Sequence, residues 1–176
     1  MTPDSSSSPT TSAKPGRYLT FRLGQESYGL PVLGVREIIR LCPITAVPRM
    51  PDYIKGVINL RGKVIPILDL RAKFQLSAGS YGERACIIIV QVGDHPASLV
   101  LMGAIVDAVE EVVQLSEAEL EPTPDFGGSP ATDYILGMAT IHGGVKTLLD
   151  LNKVFLKEGL LTLIPSQPPS SQNQTV

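Results

Sequence analysis

Between two polar tails the chain is a succession of short apolar runs broken by glycine, proline and acidic turns. Tyr18-Leu19-Thr20-Phe21-Arg22-Leu23 alternates with period two and meets a turn at Gly24-Gln25-Glu26, after which Ser27 to Val32 resumes extended structure. Val57 to Leu60 and Val64 to Leu70 predict a hairpin across Arg61-Gly62-Lys63. Pro66 in its second arm points to an edge or a bulge, because proline offers no N–H to a ladder. Ala85 to Val92 runs to Gly93-Asp94-His95-Pro96, and Ser98 to Val106 returns. Helical signals are few: Ser116-Glu117-Ala118-Glu119 has capping-box spacing, and Leu151 to Leu163 has helix-forming composition around Gly159. Many short strands at regular spacing predict an all-β protein made of two small barrels.

The chain also repeats itself. Tyr53 to Phe74 reads YIKGVINLRGKVIPILDLRAKF, and Tyr134 to Phe155 reads YILGMATIHGGVKTLLDLNKVF. Nine of twenty-two positions are identical without a gap, all of them glycine, apolar, aromatic or aspartate, which marks a duplicated supersecondary unit. A weaker echo links Val35-Arg36-Glu37-Ile38-Ile39 with Val109-Glu110-Glu111-Val112-Val113. Shared positions, Asp69 and Asp150 among them, read as scaffold; function is sought where the copies diverge, first at Arg61 against His142 in the turn. Arginine there reads as a fixed guanidinium at a subdomain junction, available as an interface anchor, with Glu37 as its counter-charge or as a contact for a partner's basic group. Each half alone would expose an apolar face; packing the halves together covers it and leaves a groove along the seam.

Composition sets the limits. The 176 residues are 43% hydrophobic and 18% charged, enough for one globular domain or two small coupled ones. A net charge of −2 leaves no electrostatic footprint for nucleic acid. The longest apolar stretch, Leu99 to Val106, falls short of the roughly 18 residues a helix needs to cross a bilayer, and the N-terminus lacks the apolar core of a signal peptide, so a cytoplasmic location is expected. Residues 1 to 16 are Ser/Thr/Pro-rich and predict a mobile tail, and the C-terminal segment 159–176 is expected to be disordered from about residue 165. The globular part is expected over residues 17–158, as two barrels near 17–82 and 83–158 with exchange of strands between them left open.

Candidate chemistry is sparse. Cys42 precedes a proline and Cys86 lies in an apolar run, so both read as incidental thiols. His95 and His142 lie in turns without a zinc-spaced ligand set. Ile141-His142-Gly143-Gly144 lacks the G-x-S-x-G elbow of an esterase, and Asp125-Phe126-Gly127 lacks the other parts of a kinase. No catalytic residue, metal or cofactor is expected.

Several ordered segments carry a resemblance to a known family. Phe21-Arg22-Leu23-Gly24, Tyr28-Gly29-Leu30 and Val35-Arg36-Glu37-Ile38 come first. Ile54-Lys55-Gly56-Val57-Ile58-Asn59-Leu60-Arg61-Gly62 follows, running into Ile65-Pro66-Ile67-Leu68-Asp69-Leu70-Arg71. Gly103 to Val109 and Leu148 to Leu151 complete the set, and over about Arg17 to Glu158 the chain resembles the CheW-like family of bacterial chemotaxis coupling proteins. The resemblance implies two five-stranded SH3-like barrels around a shared core and no enzymatic activity. It also implies an adaptor that ties the cytoplasmic tip of chemoreceptors to the regulatory domain of the histidine kinase CheA, in arrays at the inner face of the membrane. The receptor-facing residues it implies are Val35, Glu37, Ile38, Arg61, Gly103, Val109 and Val112, with Lys55 and Gly56 implicated in kinase and receptor coupling.

Overall fold

The computed structural model describes residues 13–76, 79–93, 95–124 and 134–156. Residues 1–12 of the expected N-terminal tail, everything from 157 onward and the Asp125-Phe126-Gly127 motif lie outside the described residues. Residues 13–16, assigned to that tail by composition, are placed against the fold instead. Ala13 is buried beside Tyr18, and the Tyr18 hydroxyl donates to the Lys14 carbonyl at 2.6 Å.

Strands β1 (Gly16–Leu23) and β2 (Glu26–Pro31) form a hairpin, after which the chain crosses to a second sheet for β3 (Val35–Arg40), β4 (Ile54–Leu60) and β5 (Lys63–Asp69). Helix α1 (Leu70–Lys73), β6 (Cys86–Val92) and β7 (Val100–Val106) follow. β8 (Ala108–Leu115) returns to the first sheet, which is completed by β9 (Leu120–Glu121), β10 (Ile135–Ile141) and β11 (Gly144–Leu149) before helix α2 (Leu151–Leu156). The orders are β8-β1-β2-β11-β10-β9 and β3-β6-β7-β5-β4. The protein is all-β, in two sheets with few short helices, an arrangement compatible with paired SH3-like barrels. A boundary near residue 82 does not separate the sheets, because β3, β4 and β5 share one with β6 and β7 while β1 and β2 share the other with β8 to β11.

The two orders match element for element, and the match explains the internal repeat. Hairpin β4–β5 with α1 is one copy, hairpin β10–β11 with α2 the other; even the sixth strand, β9, has a counterpart in the isolated Thr45–Val57 bridge. The repeated aspartates cap the helices. Asp69 accepts from the Arg71 and Ala72 N–H groups at 3.0 and 3.4 Å, and Asp150 accepts from that of Lys153 at 3.1 Å. Pro66 lies one residue before the parallel ladder of β5 to β7 begins at Ile67, where a missing N–H leaves no gap in the ladder.

Alternation along β1 and β6 builds three apolar layers. Leu19, Phe21 and Leu23 of β1 join Ile88, Val90 and Val92 of β6 in a core shared by both sheets. Their opposite faces feed separate clusters, Tyr18 with Leu115, Ala139 and Leu148 on one side, and Ile87 and Ile89 with Ile58, Ile65 and Ile105 on the other. A strand buried on both faces needs an unbroken apolar run, which is why Cys86 to Val92 reads CIIIVQV. Each fully buried Ile or Leu contributes about 2 kcal/mol to this packing.

Each helix also clamps the opposite sheet. Arg71 of α1 forks onto Asp107 at the β7–β8 corner, and Asp107 in turn accepts from the Gly24 N–H in the β1–β2 turn at 2.6 Å. In the other copy Asn152 takes the place of Arg71 and pairs with the Gly93 N–H and carbonyl at 3.0 and 3.2 Å in the β6–β7 turn.

Candidate functional site: an exposed ion pair across the edges of one sheet

The β4–β5 turn holds Arg61 and Gly62 at φ of 52° and 86°, both in the left-handed region that a two-residue hairpin of right-handed twist requires. Glycine adopts this conformation freely, and the side chain of Asn59 secures it by accepting from the Gly62 N–H at 2.9 Å. From this turn the Arg61 guanidinium reaches Glu37 on β3. Nη1 donates to Oε1 and Nη2 to Oε2, each at 2.8 Å, in a parallel fork. Hydrogen bonding from Arg61 holds the Glu37 carboxyl below the usual glutamate range, and the carboxylate raises the guanidinium in return.

β3 and β4 stand at opposite ends of the five-stranded order, so the ion pair ties the two edges of one sheet together. The sequence had placed Arg61 at a junction between subdomains. Its partner belongs to the same sheet, and the junction reading is corrected accordingly. The pair is nevertheless open to solvent: the Arg61 side chain is 70% exposed and that of Glu37 31%. Ile38, which follows Glu37 in β3, is 44% exposed, and Val64 in β5 is 46% exposed.

The other copy repeats the plan with weaker chemistry. His142 and Gly143 occupy the β10–β11 turn at φ of 51° and 82°, and His142 Nε2 lies 3.1 Å from Glu111 Oε2 on β8. Glu111 corresponds to Glu37, and its backbone is fastened by the buried Thr20 hydroxyl, which donates to the Glu111 carbonyl at 2.9 Å and accepts from its N–H at 3.1 Å. Val112 and Val145, the counterparts of Ile38 and Val64, are likewise exposed. A permanently charged fork in one half thus corresponds to a single contact from a titratable ring in the other.

Comparison with known proteins agrees with this plan. The CheW-like domain family matches residues 17–158. The chain belongs to the CheW-like family. Chemotaxis protein CheW of Klebsiella aerogenes is 36% identical over 141 residues, covering 80% of this chain and 82% of the relative. Protein FrzA of Myxococcus xanthus is 30% identical over 135 residues, covering 77% and 81%. Among solved structures, the scaffolding protein TtCheW from Thermoanaerobacter tengcongensis matches with a TM-score of 0.71 and 33% identity, covering 82% of this chain and 95% of that one.

Of the receptor-facing residues that CheW-like membership suggested, Glu37 and Arg61 come together, with Ile38 next to Glu37 in β3 and Val35 half-buried at the start of the same strand. Val109 and Val112 lie on β8 in the other sheet, flanking Glu111. Gly103 is buried in β7, where a Cβ would meet Ile67 Cδ1 at 2.6 Å and Ile87 Cγ2 at 2.9 Å, so the close packing there requires glycine. Gly56 is also buried, at φ 139° in a bulge where a Cβ would meet the Thr45 carbonyl oxygen at 1.9 Å, so the backbone there requires glycine. Lys55 is available: it is 45% exposed, with Nζ 3.9 Å from Asp69 Oδ2.

A shallow pocket of about 370 Å³ draws on both sheets, lined by Leu33, Gln91, Leu136, Leu151 and Asn152 among others, and none of the suggested site residues lines it. Among the described residues no group of three or more His, Cys, Asp or Glu side chains is placed to hold a metal ion, and no helix is long and apolar enough to cross a membrane. Sequence reasoning missed Asn59 and the Glu111–His142 pair. The signal for the latter was present, since the weak echo aligns Glu111 with Glu37 and the strong repeat aligns His142 with Arg61.

Proposed function

We propose that this protein is a non-enzymatic adaptor that holds the cytoplasmic tip of a helical chemoreceptor at the Arg61–Glu37 edge and couples it to the regulatory domain of the histidine kinase CheA. The adaptor role in chemotaxis follows from membership of the CheW-like family. The observation that carries the docking site is the forked, 70% exposed guanidinium in the one hairpin turn where duplicated copies diverge in charge. An arginine already oriented by a carboxylate loses little freedom when a partner covers it, which is how a few anchors come to dominate an interface. Exposed Ile38 on β3 and Val64 on β5 are the apolar side chains available on the strands that carry the pair. Val112 on β8 extends the receptor surface, and Lys55 is the candidate for kinase coupling. Recruitment to arrays at the inner face of the membrane then comes from the receptor.

Absence of catalysis is supported by the state of the reactive groups. Burial pushes the Cys86 thiol up, away from the nucleophilic thiolate, and His142 is committed to Glu111. A second reading is the same fold serving another receptor–kinase pathway, and one relative at 30% identity carries a name other than CheW. Pull-down with several receptor tips and kinases from one cell separates the two.

The test of the docking site is titration of a receptor-tip fragment into wild type and Arg61→Ala. The variant should keep its circular dichroism spectrum and lose roughly thirtyfold in affinity. Unchanged affinity in a folded variant contradicts the assignment.

A further inference from the structure

The two turns pose a puzzle that their sequences answer. Their backbone angles agree within a few degrees, 52° and 86° at Arg61-Gly62 against 51° and 82° at His142-Gly143, so the same left-handed pair forms in both copies. Only the first of the two has its Gly62 N–H accepted by an Asn59 carboxamide. The residue at the equivalent position in the second copy is Thr140, and its hydroxyl is directed to Glu121 Oε2 at 3.4 Å. The turn therefore does not need the Asn59 hydrogen bond in order to form. What the bond adds is stiffness at the base of a long side chain.

Stiffness matters more for arginine than for histidine. The guanidinium sits at the end of a flexible stem, so small rocking of the turn displaces it far, and a two-point fork fails under misalignment that a one-point contact tolerates. The fork and the cap occur together in one copy and are both missing from the other.

We propose that Asn59 is a positioning residue for Arg61: by fixing the Gly62 N–H it keeps the guanidinium forked on Glu37 and presented to the receptor. The receptor half of this statement rests on the function proposed above; the geometric half does not. Asn59→Thr installs the residue that the second hairpin already carries in the same turn. The variant should remain folded, its Glu37 carboxyl should titrate at higher pH than in wild type by carboxyl-detected NMR, and its affinity for a receptor-tip fragment should fall roughly fivefold. A Glu37 midpoint unmoved by Asn59→Thr overturns the positioning role whatever the binding result. Unchanged affinity in Asn59→Thr, where Arg61→Ala does weaken binding, overturns its part in docking. If Arg61→Ala itself binds normally, the docking reading has failed and the Glu37 midpoint still decides the geometry.

Discussion

A guanidinium held by two parallel hydrogen bonds and still mostly open to water is both oriented and available. Glu37 reports on that state. Its folded carboxyl titrates lower than in the unfolded chain, so the contribution of the ion pair to stability is fully present above the ordinary glutamate range and disappears as pH falls through the lowered value. The fork should therefore persist at pH 5, and the Glu37 midpoint should move up in Arg61→Ala; an unmoved midpoint would mean that the pair is not formed in solution. Arg61→His, which copies the other half, should restore one contact and not the fork. Arg61 was legible in the sequence because duplication separates scaffold from divergence. Its partner was legible only as one of two alternatives, since nothing local says that β3 and the β4–β5 turn meet across a curled sheet.

At the scale of elements, two glycines of one hairpin do different things. Gly62 at φ 86° has open space where a Cβ would go, and Gly56 at φ 139° faces the Thr45 carbonyl oxygen at 1.9 Å. Gly62→Ala should cost about 1 kcal/mol through backbone strain alone, whereas Gly56→Ala must also displace backbone and should cost about 3 kcal/mol, read from urea unfolding midpoints. Equal costs would show that the bulge yields. Loss of coupling in a Gly56 variant would then trace to folding, which distinguishes it from loss in an Arg61 variant. Turn glycines and the repeated aspartates were readable as structure because their causes are local, although the capping role of the aspartates was not. The burial of Gly56 and Gly103 was not, because Thr45 and the isoleucines that enclose them come from distant parts of the chain.

For the whole molecule, exchange of strands and the paired clamps make the two sheets one cooperative unit. Asp107 accepts from Arg71 and from Gly24, joining α1, the β7–β8 corner and the β1–β2 turn, and both charged side chains are largely buried, at 14% and 16% exposure. Asp107→Ala leaves a shielded guanidinium without its counter-charge and should cost about 3 kcal/mol, with both sheets unfolding in a single transition. Two separate transitions would contradict the shared core. The sequence showed that there were two similar modules. It could not show which strands belong to which sheet, because the exchange of strands is fixed by pairings between segments far apart in the chain.

The most direct measurement is reconstitution: receptor-containing membranes, CheA and this protein, with kinase autophosphorylation followed as receptor ligand is added. Wild type should make kinase output depend on the receptor, and folded Arg61→Ala should leave the kinase uncoupled. Coupling by Arg61→Ala at wild-type level, or no coupling by wild type with any receptor and kinase of its own cell, would contradict the account.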